Sequence, residues 1–99
     1  MNMNTFTLKS QNALETAQSL ALEYHHPQIE AEHLLLALLT QEESLARSIL
    51  AKLEADPAQV ESRTREVLAA MPTVSGQEEV YLSRTLSAVL NDAQKEASR

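Results

Sequence analysis

Apolar residues recur at helical spacing in five segments of the chain. The first stripe consists of Ala13, Ala17, Leu20 and Tyr24. Residues three or four positions apart share one face of an α-helix, so this stripe predicts an amphipathic helix. The other four stripes lie within residues 31–39, 43–52, 57–71 and 84–97. No segment shows the sustained alternation typical of a strand, and the pattern therefore predicts an all-α fold of five helices.

Capping residues and prolines mark several helix boundaries. The hydroxyl of Thr7 can accept a hydrogen bond from the first turn, so we expect a helix over about 8–24 with Thr7 as its N-cap. Pro27 ends it, because proline disfavours the α conformation in the preceding residue. Asp56 followed by Pro57 gives the clearest helix start, since Asp caps well and Pro is favoured at the first helical position.

The second predicted helix is apolar on nearly all sides. Its leucines are Leu34, Leu35, Leu36, Leu38 and Leu39. A helix without a polar face is expected at the centre of the fold. We therefore expect that changing Leu35 or Leu38 to Ala costs about 2–5 kcal/mol of stability, the usual penalty for truncating a buried leucine.

The beginning of the chain is repeated near its end. Residues 83–97 match residues 7–21 at an offset of 76, with an Ala-Gln dipeptide in each copy. We expect one repeat over about 7–71, a linker over 72–82 and the start of a second repeat over 83–99. A repeat buries its apolar face against a neighbour, so the chain is expected to be part of a longer protein. We expect residues 83–97 to fold back onto the first repeat or to mediate self-association.

Composition excludes several functions. The formal net charge is −6, which disfavours binding to nucleic acid or to an anionic membrane. The longest apolar run, Leu34 to Leu39, is too short to span a bilayer. There is no cysteine and no visible signal peptide, which fits a reducing cytoplasm.

The sequence offers no catalytic, cofactor or metal motif. A single glycine and the absence of a P-loop exclude a nucleotide site of that type within this chain. His25, His26 and His33 lack the spacing of metal ligands. We interpret the first two as a solvated helix end and His33 as a partly buried residue at the start of the second helix.

Four ordered blocks carry a resemblance to a known family. They are residues 17–21 (AQSLA), 29–39 (IEAEHLLLALL), 71–76 (MPTVSG) and 80–83 (VYLS). Together they resemble the N-terminal domain of Clp ATPases, and the last two blocks look most like the ClpB-type ATP-dependent disaggregases. The resemblance implies two four-helix repeats and, elsewhere in the longer protein, an AAA+ homohexamer that uses ATP and Mg. Many relatives carry a capping residue where Ala31 stands, so the second helix is expected to begin less firmly.

The resemblance implies a cytoplasmic stress-response chaperone that recruits unfolded or aggregated proteins through an apolar groove. It places this groove between the first helices of the two repeats. Thr7 and Leu90 match family positions associated with peptide binding. Thr7 as a simple helix cap and Leu90 as a core residue remain alternatives. Asp92 and Glu96 stand where relatives are apolar, which makes this groove more polar. The alternative function is that of a Clp protease regulator of the ClpA or ClpC type, whose N-domain docks an adaptor or co-chaperone.

Overall fold

The computed structural model describes residues 3–97 and the side chains of residues 8–96. Its helices are α1 (Met3–Glu23), α2 (Ala31–Thr40), α3 (Leu45–Lys52), α4 (Pro57–Ala70) and α5 (Arg84–Ala97). Across residues 3–97 the only extended pairing is a parallel bridge between Ile29 and Leu82. The five predicted helices and the all-α fold class are confirmed.

Helix α1 begins earlier than the sequence pattern suggested. It starts at Met3, so Thr7 lies inside the helix and the prediction that Thr7 is its N-cap is wrong. The physical reason is that no proline or glycine precedes Thr7, and nothing interrupts the helix there. The side chain of Thr7 lies outside the described part of the structure.

The C-terminal end of α1 is closed by backbone hydrogen bonds as well as by the proline. His25 adopts a left-handed conformation with φ of 59°. The His26 amide donates to the carbonyl of Ala21 at 2.9 Å, and the His25 amide donates to that of Leu22 at 3.1 Å. These two bonds form the Schellman motif, which satisfies carbonyls that the last helical turn leaves unpaired.

Small side chains allow α1 to lie close to α2. Ala13, Ala17 and Ala21 recur at every fourth position of α1 and are almost completely buried. Two of them belong to the central apolar cluster, which contains Ala17, Ala21, Ile29, Ala37, Val80 and Leu86. Alanine loses little side-chain entropy on burial and leaves room for the neighbouring backbone, so this alanine seam fixes the packing of the first two helices.

Helix α2 is the centre of the fold and packs against α1, α3 and α4. Leu36, Ala37 and Leu39 are buried as expected. Leu35, however, is 37% exposed, which corrects the prediction that it is a core residue. Adjacent helical residues point about 100° apart, so three consecutive leucines cannot all face the same neighbours.

Helices α3 and α4 form one edge of the fold. Ser44 caps α3 by accepting from the Arg47 amide, and Asp56 caps α4 by accepting from the Ala58 amide, as its sequence predicted. The Arg47 guanidinium reaches across to Glu61 of α4 at 2.8 Å. Bonds to Arg47 and Arg65 lower the pKa of the Glu61 carboxyl.

The linker returns to the turn between α1 and α2. The Val74 amide donates to the carbonyl of His25 at 2.7 Å. Farther along, the Ile29 amide donates to the carbonyl of Tyr81 at 2.9 Å, and the Ser83 amide donates to the carbonyl of Ile29 at 3.0 Å. These bonds hold both ends of the linker against residues 24–30.

Helix α5 folds back onto α1 and α2 through its N-terminal half. Leu86 is buried in the central cluster, and Leu90 packs against the same cluster while half-buried. Val89 is 52% exposed, and residues 91–96 are exposed. Folding back was one of the two expected arrangements, and self-association through 83–97 stays a prediction.

The exposure of neighbouring leucines on α2 gives a direct test of the core. Changing Leu36 to Ala should cost about 2–5 kcal/mol, because a fully buried side chain is truncated. Changing Leu35 to Ala should cost less than about 1.5 kcal/mol, because part of that side chain already contacts water. Urea unfolding of the two variants measures both values, and equal losses would contradict this packing of α2.

Candidate functional site

An apolar groove lies between α1 and the end of the linker. It encloses about 260 Å³ and opens to solvent. Its lining residues are Leu14, Glu15, Gln18, Ile29, Val80, Tyr81 and Leu82. Helix α1 supplies one wall, while the backbone pairing of Ile29 with the linker positions the other. The groove can therefore accept an apolar side chain without requiring a deep cavity.

The floor of the groove belongs to the core, whereas its rim is exposed. Ile29 and Val80 are 5% and 2% exposed and are members of the central cluster. Tyr81 is 71% exposed and Leu82 is 37% exposed. A ligand would thus meet a rigid apolar floor and adaptable side chains at the edge.

Each wall of the groove carries an acidic group near the rim. The Tyr81 hydroxyl donates to a carboxylate oxygen of Glu79 at 2.7 Å. This bond raises the pKa of the Tyr81 phenol, because the phenolate would face the carboxylate charge. Glu15 also lines the groove. The rim therefore favours neutral or basic ligands over acidic ones.

The two residues singled out from the sequence have different relations to this groove. Position 7 lies two helical turns before Leu14 in the same register of α1, since seven residues complete nearly two turns. Leu90 is not among the groove-lining residues and instead packs against the central cluster, which contains Ile29 and Val80. The resemblance placed the groove between the first helices of the two repeats, whereas the second wall of this groove is the end of the linker and not α5. This wall could not be read from the sequence, because it forms by pairing of distant segments.

Two histidines are buried, contrary to the sequence interpretation. His26 is 1% exposed and therefore is not part of a solvated helix end, while His33 is completely buried rather than partly so. The cause is the Schellman motif, which turns His26 inward beside α2. Their rings are joined by a bond of 2.7 Å between His26 Nδ1 and His33 Nε2. His25 is exposed, as expected.

His33 also caps the N-terminus of α2. Its Nδ1 accepts a hydrogen bond from the Glu30 amide at 2.8 Å. The N-cap of α2 is Glu30, and Ala31 is the first helical residue. Glu30 and His33 form a capping box, which supplies contacts that the Ala31 side chain cannot make. Within the described residues, no group of three or more His, Cys, Asp or Glu side chains is arranged to hold a metal ion.

A second, separate depression lies between α2 and α4. Leu35, Val60 and Val67 provide its apolar part, and Glu32 and Arg63 contribute charges. Its exposed leucine, Leu35, has the same fractional exposure as Leu82 in the groove, 37%. The two residues therefore form a matched pair for comparing the two surfaces.

Residues 5–99 match the family described as the Clp repeat (R) N-terminal domain. The chain belongs to this family. Among curated proteins, it is 43% identical over 93 residues to chaperone protein ClpB 1 of Synechococcus elongatus. It is 41% identical over 100 residues to chaperone protein ClpB of Vibrio cholerae, and 34% identical over 103 residues to chaperone protein ClpB of Bacillus cereus.

These matches cover 93% of this chain for Synechococcus elongatus and 100% for the other two relatives. They cover only 10–12% of the relatives' own length. The chain is thus a Clp N-domain of the type found in ClpB chaperones, and it spans about a tenth of the proteins it matches. Over residues 3–97, none of the helices combines the length and apolar character needed to cross a bilayer.

Ser83 caps α5 directly after the linker wall of the groove. The Ser83 hydroxyl accepts from the Leu86 amide at 3.1 Å, and Ser83 is 4% exposed. Changing Ser83 to Ala should cost about 0.5–2 kcal/mol, because that amide loses its partner. Amide exchange should accelerate at Leu86 and its neighbours.

Ser87 provides the control for this substitution, since it lies one turn later inside the same helix. Changing Ser87 to Ala should leave exchange in α5 unchanged or slower, because alanine favours the helix interior. Equal acceleration by both substitutions would contradict a specific capping role for Ser83.

Proposed function

We propose that this chain is the substrate-recruitment domain of a ClpB-type disaggregase. The groove between α1 and residues 80–82 binds apolar segments of unfolded or aggregated protein. ATP hydrolysis and hexamer formation belong to other parts of the longer protein, which acts in the cytoplasm. The single observation that carries this proposal is an open apolar groove in a domain of this family.

The shape of the groove suits recruitment rather than tight capture. Unfolded clients share exposed apolar side chains but no common sequence, so their receptor needs an apolar surface with few directional contacts. A groove of about 260 Å³ buries little of a client. We therefore expect weak binding, which allows release to a motor.

Charge adds a modest preference. The chain carries a formal net charge of −6, and Glu15 and Glu79 flank the groove. Acidic client segments are expected to bind less well than apolar or basic ones. Because the principal contact is apolar, moderate salt should change the affinity for a neutral client little.

The groove is tested by changing Leu82 to Gln and titrating the chain with a permanently unfolded protein, such as a reduced protein whose cysteines carry neutral carbamidomethyl groups. No ATP is added. Loss of the leucine contact should weaken binding by about three- to tenfold, since apolar burial of a few tens of Å² is lost. Shifts of backbone amide resonances report affinity and location together.

Changing Leu35 to Gln is the matched control, because Leu35 is equally exposed but lies in the other depression. That variant should bind the unfolded protein like the wild type. Equal weakening by both changes would reject the groove as the site. Absence of any binding, also in a chain extended through a second repeat, would reject recruitment and favour adaptor docking.

Thr7 is tested by changing it to Val. Thr7 lies inside α1, so this substitution removes the hydroxyl without removing a helix cap. If the hydroxyl donates to client backbone, affinity should fall roughly two- to tenfold while stability holds. Thr16 stands nine positions later, on the opposite face of α1, and Thr16→Val should leave binding unchanged. Unchanged binding by Thr7→Val would remove that hydroxyl from the site.

A further inference from the structure

The hydrogen bonds of the buried histidine pair fix its protonation state. The Glu30 amide donates to His33 Nδ1, so that nitrogen carries no proton. A neutral His33 then carries its proton on Nε2 and donates it to His26 Nδ1 at 2.7 Å. Because Nδ1 of His26 accepts this bond, a proton on the neutral His26 ring lies on Nε2, a buried atom with no hydrogen-bond partner among the residues that the structure describes.

Any additional proton breaks this chain of bonds. Protonating His33 at Nδ1 would set that N–H against the Glu30 amide, since both groups are donors. Protonating His26 at Nδ1 would set it against the Nε2–H of His33 in the same way. The arrangement is therefore complete only when both rings are neutral.

The surroundings of His33 also disfavour its charged imidazolium form. Burial, followed by the proximity of His26, lowers the pKa of His33 below its ordinary value of 6.5. The negative charges of Glu30 and Glu32 raise the pKa of His33 and so oppose this shift. Arg63 of α4 lines the same depression as Glu32. From the end of α1, Tyr24 stacks on His26 with ring centroids 5.5 Å apart.

The histidine pair sits inside the turn that holds the linker. His25, directly before His26, accepts the bond from the Val74 amide. Ile29, which directly precedes Glu30, makes both bonds of the bridge to Tyr81 and Ser83. On the linker side, the ionisable groups are Glu78, Glu79 and Tyr81, which are exposed. Displacing either ring would disturb the backbone to which the linker is attached.

We propose that His26 and His33 form a proton-sensitive latch on residues 24–30. At neutral pH the two uncharged rings close the turn and hold the linker. On acidification, uptake of a proton breaks the ring-to-ring bond or the bond to Glu30, the turn opens, and residues 72–83 are released together with the attachment of α5.

The direction of the pH effect follows from proton linkage. A histidine in the unfolded chain gains a proton below about pH 6.5, whereas the closed latch excludes it. The stability of the turn is therefore complete above pH 6.5 and falls as the pH is lowered. At pH 5.0 the opening equilibrium should rise by up to about 30-fold through the exclusion of a proton from His33.

Amide exchange between pH 5.0 and 7.5 tests the latch, after correction for the intrinsic pH dependence of exchange. The opening equilibrium measured at the amides of Ile29, Val74 and Ser83 should rise about tenfold or more as the pH falls. The opening equilibrium at the amide of Leu68, which is buried in α4, should rise much less over the same pH range. Equal opening at all four positions would indicate global unfolding and overturn the latch.

Variants identify the side chains that cause the pH dependence of amide exchange. In the double variant His26→Asn and His33→Gln, both side chains keep acceptor atoms but cannot gain a proton, so the pH dependence should disappear. His25→Gln should retain it, because His25 is exposed. A double variant that follows the wild-type pH profile would overturn the proposal.

Nitrogen chemical shifts provide a test that needs no variant. At pH 7.5 both rings should be neutral with the proton on Nε2, and no buried imidazolium should appear in the folded state at pH 6.5. An imidazolium at either ring with the linker amides still protected would refute the latch. An acid-induced loss of client binding would additionally rest on the proposed function, whereas exchange and tautomer measurements stand without it.

Discussion

The turn formed by residues 24–30 is the constraint on which the arrangement of this domain depends. It reverses the chain between α1 and α2, and its backbone also provides the bonding partners for the linker. This segment has little conformational freedom, because moving it would break its hydrogen bonds to α1 and to the linker. The left-handed His25 and the buried His26 show how closely the turn is specified.

Close packing of the first two helices makes this turn possible. The buried alanine seam of α1 lets its backbone approach α2, and the two buried histidine rings join the turn to the start of α2. The stripe on α3 contributes less to the core, since Leu45, Ile49 and Leu53 are exposed. Stability is thus concentrated around α2, while α3 is held at the edge by its cap and by the bond from Arg47 to Glu61.

The proposed client groove and the histidine latch use the same part of the fold. Ile29 forms the floor of the groove and also makes the bridge to the linker. A change in the turn would therefore move one wall of the groove relative to α1. This arrangement gives a physical route by which a proton bound in the core could alter a surface that contacts other proteins.

Local signals predicted much of the fold but little of the candidate site. Asp56 and Pro57 specify a helix start through contacts within one turn, and this prediction was confirmed. Thr7 had an equally suitable side chain for capping, but the helix continued past it in the N-terminal direction. Leu35 and Leu36 have identical side chains, but Leu35 is partly exposed and Leu36 is fully buried. Burial depends on which helices lie beside each face of α2.

The sequence by itself determined the helical segments, the family and the aliphatic character of the core, because periodicity, capping and ordered motifs are properties of neighbouring residues. Only the tertiary structure decided that His26 and His33 meet, that Ile29 pairs with the linker, and that α1 and Leu82 enclose a groove. Each of these contacts joins residues from different elements. Their formation depends on the angle and distance at which helices pack, which hydrophobic spacing along one helix does not specify.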